Sequence, residues 1–227
     1  MTTASGCFVT GTGTEVGKTV VAAVIARAHA RRGARVAVFK PAVSGLDEVG
    51  EAGGEPDHAL LRRAAGSSQA DDAIAPHRFG PAASPHLAAE LAGEAIDPAA
   101  VLDRARAAAA GGDVLVCEGV GGFLVPLTST YLVRDLARDL ALPVVIASGP
   151  GLGTINHTLL TVESVRAAGL EVAAVVLTPW PRAPGALERS NRETIEALGG
   201  VAVWGLERLD LADPDSWPSP PWVSVAL

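Results

Sequence analysis

Lysine is scarce in this chain, which has 18 Lys and Arg residues in 227 but only two lysines, Lys18 and Lys40. Lysine provides a compact ammonium charge on a flexible stem, whereas arginine presents a planar fork. Each lysine lies at or just after the end of a predicted strand, where α/β proteins bind ligands. We therefore expect both positions to need a point charge, although position alone explains Lys40 equally well as a lysine at a strand edge.

Other absences exclude whole classes of protein. No segment reaches about 18 uncharged apolar residues, the length of a membrane-spanning helix, and no basic segment followed by an apolar stretch predicts a secretory signal. The net charge of −7 makes a nucleic acid or an anionic membrane surface an unexpected partner. The two cysteines, Cys7 and Cys117, fall in predicted core strands. This placement predicts buried thiols in a reducing, cytoplasmic compartment rather than a disulfide.

Short β-branched runs alternate with longer alanine-rich segments of helical character. The runs predict strands at Cys7–Thr10, Arg35–Phe39, Asp113–Cys117, Pro143–Ala147, Ala173–Leu177 and Val201–Trp204. The segments between them predict helices near Lys18–Arg32, Asp57–Ala65, Pro98–Ala110, Leu132–Leu140, Asn156–Ala168 and Leu187–Leu198. Unbroken apolar strands are typical of parallel sheets covered on both faces. We expect a single α/β domain, residues 1–227, with a mostly parallel central sheet and helices on both faces.

Three segments depart from this alternation. Gly45–Glu55 is rich in glycine and glutamate and predicts a mobile loop directly after Lys40. Asp71–His86 contains three prolines and predicts an extended surface excursion. Asp213–Trp222 contains four prolines and predicts an irregular tail. Long loops at strand ends often carry function, so the first two segments are candidate parts of a site.

A glycine-rich loop joins the first predicted strand to the first predicted helix. Residues 11–19 have the sequence GTGTEVGKT, in which Lys18 would neutralise nucleotide phosphates and the Thr19 hydroxyl would hold Mg²⁺. Five residues separate Gly11 from the Gly-Lys pair, one more than is usual, so this is a variant P-loop. A dinucleotide-binding fingerprint fails because Val16 stands where its third glycine should be. The strand, loop and helix context favours a P-loop NTPase-like fold over an incidental turn.

Two acidic residues are candidate metal ligands. Glu118 follows the apolar run Asp113–Cys117, and a carboxylate at the end of a buried strand beside a P-loop can hold Mg²⁺ directly or through water. The alternative for Glu118 is a solvated residue in a turn. For Asp57, sequence alone favours a helix N-cap over a ligand.

Taken together, these residues resemble the dethiobiotin synthetase family. The resemblance spans residues 7 to about 180 and lies in the variant loop and four further motifs in family order: KPAVSG from Lys40, SPH from Ser84, EGVGG from Glu118 and GLGTINH from Gly151. It implies that 7,8-diaminopelargonate, CO₂ and a nucleoside triphosphate give a cyclic urea. One amine would take up CO₂ as a carbamate, which attacks the γ-phosphate. The second amine would then expel phosphate from the carbamic–phosphoric anhydride.

The resemblance also implies a role for each matching residue. Catalytic roles fall to Lys18, Lys40 and Thr14. Substrate binding falls to Thr14, Ser44, Gly153, Thr154, Ile155 and Asn156, the last four reaching the substrate carboxylate across a homodimer. Nucleotide binding falls to Glu15, Val16, Gly17, Lys18, Thr19, Val20, Asp57, Glu118, Gly119, Val120, Gly121 and Thr178. Mg²⁺ ligation falls to Thr19, Asp57 and Glu118, which raises Asp57 from a cap to a metal and nucleotide contact.

The sequence departs from the family pattern where the nucleotide base is read. Thr178 stands where the family usually has an asparagine, and Pro179 lacks an N–H. An asparagine amide both donates and accepts hydrogen bonds, whereas threonine has a single hydroxyl. Selectivity for adenine is therefore open, and ATP or another triphosphate could serve. Residues from Gly205 onward match the family poorly, so base contacts there are also open.

Three alternative functions are each disfavoured by a feature of the sequence. Amidotransferase-type cobyrinate synthetases carry a glutaminase domain, for which 227 residues leave no room. Partition-type ATPases usually have a second lysine early in the loop, where this chain has Gly13. A non-catalytic regulatory domain would have no reason to retain Lys40, Ser44 and Glu118 together.

Overall fold

The computed structural model describes residues 5–52 and 54–224. Its main sheet contains six parallel strands in the order β2-β5-β1-β6-β7-β8. These are β1 (Gly6–Gly11), β2 (Val36–Phe39), β5 (Val114–Glu118), β6 (Val144–Ser148), β7 (Val172–Trp180) and β8 (Val203–Glu207). A second sheet pairs β3 (Ala42–Val43) with β4 (His77–Arg78). The predicted parallel sheet is confirmed, and β7 runs three residues beyond its predicted end at Leu177.

Helices alternate with the strands and cover both faces of the main sheet. They are α1 (Lys18–Arg31), α2 (Leu46–Ala52), α3 (Asp57–Ala65), α4 (Asp71–Ile74), α5 (Pro85–Ala92), α6 (Pro98–Gly111), α7 (Val133–Leu140), α8 (Thr154–Ala167) and α9 (Ala186–Gly199). One hydrophobic cluster packs α1 and α3 on the first face, and another packs helices α5 to α9 on the opposite face. No helix among the described residues combines the length and apolar character needed to cross a membrane.

Burial of the strands explains why they are apolar without interruption. Every residue of β1, β2, β5 and β6 is buried, so both faces of these strands contact protein. On β1, Cys7 belongs to the first hydrophobic cluster and the next residue, Phe8, to the second, as strand alternation requires. Cys7 and Cys117 are free and buried, as predicted.

The segment after Lys40 is a helix rather than the predicted loop. Helix α2 occupies Leu46–Ala52, while Gly53 lies outside the described residues. Backbone N–H groups of Gly45, Leu46 and Asp47 donate to carbonyls of Pro81, Phe79 and Gly80, respectively. These bonds join segments more than 30 residues apart along the chain, so the local glycine and glutamate content could not reveal them.

Two further predictions of irregular structure need correction. The predicted excursion Asp71–His86 contains α4, β4 and the start of α5, and its Ile74 and Phe79 are buried in the core. The proline-rich tail forms two short 3-10 helices, Pro214–Ser216 and Pro221–Ser224. Trp217 and Trp222 in that tail are buried against α1, which supplies the stability that local sequence lacks.

Strand order gathers the candidate residues at one edge of the sheet. Strand β1, which leads into the P-loop, lies between β5 and β6. Glu118 ends β5, Lys40 follows β2, and Thr178 lies near the end of β7. Because all these strands are parallel, their carboxyl ends meet at the same edge, where doubly wound sheets bind ligands.

Candidate active site

The loop between β1 and α1 has the backbone of a phosphate-binding turn. Gly17 has a left-handed φ of 85° and is the residue immediately before α1. A Cβ on Gly17 would lie 2.4 Å from the Thr178 methyl group, so only glycine fits. Lys18 is buried, and its Nζ donates to the Gly13 carbonyl at 2.8 Å. Residues 17–20 line a cavity, and because the first N–H groups of a helix have no partner within it, this end of α1 suits an anion.

Four charged or hydroxyl side chains meet beside the loop. Lys40 Nζ lies 2.5 Å from Asp57 Oδ2 and 2.7 Å from Glu118 Oε1. The Thr19 hydroxyl donates to the same Glu118 Oε1 at 2.9 Å. Lys40 is 3% exposed and Glu118 is 0% exposed, so both charges are held inside the protein. The alternative of a solvated glutamate is therefore wrong, and Lys40, which follows the edge strand β2, is buried as an ion-pair partner.

Asp57 is not the N-cap of α3. Pro56 precedes the helix, and Asp57 is its first helical residue. Its side chain turns toward Lys40 instead of capping the backbone. The helix therefore places Asp57 at the cluster, while an acidic first residue also suits the positive end of the helix dipole.

Burial and mutual attraction set the pKa values of the cluster. Burial lowers the pKa of Lys18, and it raises the pKa of Glu118 against the attraction of Lys40. For Lys40, burial is outweighed by the carboxylates of Glu118 and Asp57, and its pKa is raised. For Asp57, burial is outweighed by the ammonium of Lys40, and its pKa is lowered. Two ammonium groups thus lie beside two carboxylates, and the interaction is strongest between Lys40 and Glu118, which are both buried.

The oxygen atoms of this cluster fit Mg²⁺. Glu118 Oε2 is buried and has no hydrogen-bond partner among residues 5–52 and 54–224, which is costly unless a cation or water occupies its free side. Thr19 supplies a hydroxyl and Asp57 a second carboxylate nearby. Mg²⁺ is usually held by one or two carboxylates together with nucleotide phosphates and water. The donor set matches that preference.

A cavity of about 810 Å³ contains the cluster. The P-loop forms one wall, and Ser44, α2 and the Ser84 segment form another. Predicted site residues that line it are Thr14, Glu15, Gly17, Lys18, Thr19, Val20, Lys40, Ser44, Asp57, Glu118, Val120 and Gly121. The volume suits a nucleotide together with a small substrate.

The remaining predicted residues lie outside this cavity. Val16 packs near Gly11, and Gly119 packs against the Val133 side chain. Thr178 is buried, and its methyl group packs against Gly17. Residues 153–156 lie after β6, at a separate place on the same sheet edge. Helix α8 begins at Thr154, two residues before the predicted start at Asn156.

A smaller cavity of about 540 Å³ begins immediately after Thr178. Pro179, Trp180 and Arg182 line one side, and Glu207 and Arg208 line the other. It thus includes the residues after β8 that match the family poorly. The Thr178–Pro179 peptide bond is cis.

Comparison with known proteins identifies the family. A family model described as an AAA domain matches residues 5–210. The ATP-dependent dethiobiotin synthetase BioD of Anaeromyxobacter dehalogenans is 46% identical over 173 residues, covering 76% of this chain and 75% of that protein. The protein of the same name from Rhodococcus erythropolis is 41% identical, covering 88% and 86% respectively. The chain belongs to the dethiobiotin synthetase family.

Solved structures confirm the fold of this dethiobiotin synthetase family member. The cell division ATPase MinD of Pyrococcus furiosus aligns over 98% of this chain and 97% of its own, with a TM-score of 0.55 and 17% identity. A ParA family ATPase from Chlorobium tepidum aligns over 98% and 93%, with a TM-score of 0.56 and 15% identity. At such low identity the likeness concerns the P-loop NTPase fold alone, so it does not favour the partition-type alternative.

Sequence reasoning within the dethiobiotin synthetase family missed several residues at the site. Glu48 and Val49 line the cavity because α2 folds over it, and Leu211 reaches it from the C-terminal tail. Asn191, on α9, donates to two backbone carbonyls just before α8. No local pattern marks these residues, because their positions depend on the packing of distant segments.

Proposed function

We propose that this chain is an ATP-dependent dethiobiotin synthetase. It would carboxylate 7,8-diaminopelargonate with CO₂ and close the cyclic urea at the expense of a nucleoside triphosphate. The observation that carries this proposal is the buried pair of Lys18 and Lys40 at the P-loop of a dethiobiotin synthetase family member. All participants in the phosphoryl step are anions, so compact positive charge is what the reaction requires.

The reaction divides into three steps: carbamate formation, phosphoryl transfer and ring closure. One substrate amine adds to CO₂ and loses a proton, forming a carbamate. A carbamate oxygen then attacks the γ-phosphorus, and the bond to the nucleoside diphosphate breaks. Finally the second amine attacks the carbonyl carbon of the mixed anhydride, forms the second C–N bond, loses a proton and expels inorganic phosphate. Lys18 would stabilise charge on the triphosphate, and Lys40 would stabilise the carbamate and the transferring phosphoryl group.

Thr19, Asp57 and Glu118 would hold Mg²⁺ beside the triphosphate. When bound, the ion supplies positive charge that offsets the charge of the phosphate oxygens. The other nucleotide contacts would come from the P-loop residues Glu15 to Val20 and from residues 119–121 after β5.

The hydroxyl groups of Thr14 and Ser44, both on the cavity wall, would orient the carbamate or the free amine. Residues 153–156 would bind the substrate carboxylate, since N–H groups at a helix N-terminus favour an anion. Because these residues lie outside the cavity of their own copy, a homodimer would bring them to the site of the partner subunit.

Exposed leucines support the homodimer. Leu152, at the tip of the turn before α8, is 93% exposed, and Leu160 on α8 is 56% exposed. A second copy seated on the proposed binding turn would cover apolar side chains of this kind. We also infer one domain and a cytoplasmic location, in keeping with two buried free thiols.

Thr178 and the cavity that begins after it would determine the nucleotide base. Thr178 is buried against Gly17 through its methyl group, so its hydroxyl is the only side-chain polar atom it can offer to a base. ATP is the expected triphosphate, and a hydroxyl discriminates less strongly than the amide of an asparagine.

The decisive test is ring closure in vitro. Purified protein, Mg²⁺, bicarbonate and 7,8-diaminopelargonate are incubated with ATP, CTP or GTP, and dethiobiotin is detected by mass. Dethiobiotin with any triphosphate supports the proposal, and the ranking of the triphosphates reports the effect of Thr178. Nucleotide binding without product under all conditions would overturn it.

A variant pair links turnover to the site. Lys40→Gln should lower kcat by orders of magnitude while nucleotide still binds, because Lys18 and the P-loop remain. Arg35→Gln is the matched control, since Arg35 begins the same strand segment but is 73% exposed and paired with Asp113 at the far end of the sheet. A partition-type switch would tolerate both changes.

A further inference from the structure

The turn between β6 and α8, residues 149–153, has little packing of its own. It contains three glycines, and Gly151, Leu152 and Gly153 are exposed. Glycine-rich turns are conformationally free, so fixing one costs entropy that must be recovered elsewhere. Whatever this turn does in the protein, other elements must hold it in place.

Asn191 of α9 holds the middle of the turn. Its Nδ2 donates to the Pro150 carbonyl at 2.9 Å and to the Gly151 carbonyl at 3.1 Å. Asn191 is only 5% exposed, although asparagine is usually found on the surface. Two donor bonds from one buried amide to consecutive carbonyls fix both the position and the direction of the turn.

The Gly151 carbonyl passes this constraint to helix α8. The same oxygen also accepts the backbone N–H of Thr154, the first residue of α8, at 3.2 Å. The orientation of the first turn of α8 therefore depends on the atom that Asn191 holds. The N–H groups of Ile155 and Asn156 follow directly, and these lie in the part of a helix that has no internal partners.

Buried hydroxyl groups hold the base of the turn. Ser148 Oγ lies 2.9 Å from Thr154 Oγ1 and 3.0 Å from Thr158 Oγ1, joining the end of β6 to α8. It also lies 3.1 Å from Thr12 Oγ1 in the P-loop. The turn is thus fixed from below by Ser148 and from the side by Asn191.

We infer that Asn191 is a positioning residue for substrate-carboxylate binding: it holds the turn of residues 149–153 so that the N-terminus of α8 faces the carboxylate. The inference rests on the proposed function, in which residues 153–156 receive that carboxylate. Asn191 donates to the backbone of the turn, and its effect reaches the substrate through the Gly151 carbonyl. Ser148 supports the same geometry from the other side.

The test compares two substrates. Asn191→Ala should raise the KM for 7,8-diaminopelargonate about tenfold, the effect of losing two ordinary hydrogen bonds. The KM for ATP and kcat should change less than about twofold. With 2,3-diaminooctane, which has the same vicinal diamine but no carboxylate, variant and wild type should have equal kcat/KM. Its Ki as an inhibitor replaces kcat/KM where turnover is too slow to measure.

Two further variants separate positioning from general stability. In Asn191→Asp the side chain has the same size but no N–H donor. This variant should raise the KM for 7,8-diaminopelargonate at least as much as Asn191→Ala, because a carboxylate would face two carbonyl oxygens. Arg166→Ala is the matched control: Arg166 Nη2 donates to the Gly200 carbonyl at the other end of the α8–α9 contact. It should change thermal stability without changing either KM. Ser148→Ala serves as the test variant where Asn191 variants do not fold.

An equal decrease in kcat/KM with 7,8-diaminopelargonate and with 2,3-diaminooctane would show a purely structural role and overturn the inference. An unchanged KM for 7,8-diaminopelargonate in Asn191→Ala would overturn it as well. Failure of the proposed function is distinct, because wild-type protein would then form no dethiobiotin at all, and the inference would fall with it.

Discussion

Replacing Lys40 by methionine should destabilise the ligand-free protein in a way that depends on pH. Methionine has a similar length but no charge, so it removes the ammonium that lies between Asp57 and Glu118. The Asp57 side chain is 43% exposed and can regain water, whereas that of Glu118 is 0% exposed and cannot. The cost therefore falls on Glu118, which, among the residues that the structure describes, keeps the Thr19 hydroxyl as its one hydrogen-bond donor.

The size of the effect follows from this difference in burial. Removing one partner of a buried ion pair typically costs about 3–5 kcal/mol. Glu118 can avoid that cost by binding a proton, since burial already raises its pKa and the opposing charge of Lys40 is gone. A glutamate has a pKa of about 4.3 in the unfolded chain. Because the folded pKa is higher, the unfolding free energy is lost as pH rises, by about 1.4 kcal/mol per unit.

The loss relative to wild type should therefore be smallest at pH 5, just above the unfolded pKa, and should grow to about 3–5 kcal/mol at pH 8. Urea unfolding at pH 5, 6, 7 and 8, without nucleotide or Mg²⁺, measures it. In the control variant Lys40→Met/Glu118→Gln, the neutral amide should remove the pH dependence and recover most of the stability at pH 8. A loss that stays the same from pH 5 to pH 8 would refute this account of the cluster.

Four other predictions concern the P-loop, the core, the surface and the two cysteine thiols. Gly17→Ala should weaken nucleotide binding and lower the urea midpoint, and Thr178→Ser should restore part of both because it removes the methyl group 2.4 Å from the new Cβ; no recovery would refute the steric explanation. Leu61→Ala, at a fully buried position, should cost about 2–5 kcal/mol in urea unfolding. Leu152→Asp should convert a dimer to a monomer by light scattering, with urea unfolding that no longer depends on protein concentration; a dimer that persists would contradict the proposed interface. Burial raises the pKa of Cys7 to about 12 and also raises that of Cys117, so neither thiol should react with a thiol reagent before unfolding; rapid labelling of native protein would contradict this.

The main sheet could be predicted from sequence because each of its strands carries its own signal. An unbroken apolar run such as Val36–Phe39 needs cover on both faces wherever it lies, so strand type and sheet type follow from local composition. The P-loop was equally readable, since the requirement for glycine at position 17 comes from a left-handed backbone. Prediction succeeded where the physical cause lies within a few residues.

Prediction failed where the cause lies in a distant segment. Helix α2 depends on carbonyls of residues 79–81, and the tail is ordered by Trp217 and Trp222 packing on α1. Proline and glycine counts describe only the intrinsic preference of such segments, which tertiary contacts override. The same holds for Leu211, which lines the cavity, and for Asn191, which bonds to the turn before α8: both are placed by tertiary packing, and neither belongs to a motif.

The geometry of the cluster explains why position 40 is a lysine in a chain whose other basic residues are almost all arginine. Lys40 Nζ approaches oxygens of two different residues at 2.5 and 2.7 Å from within a side chain that is 4% exposed. Glu118 Oε1 already accepts a hydrogen bond from the Thr19 hydroxyl, so it has room for one further donor group. A guanidinium is wider, has its donors in a fixed plane and would have to displace one of these groups. Arginine can therefore replace lysine on the exposed surface of this protein, where charge alone matters. It cannot do so at a site where a single nitrogen must donate hydrogen bonds to two carboxylates.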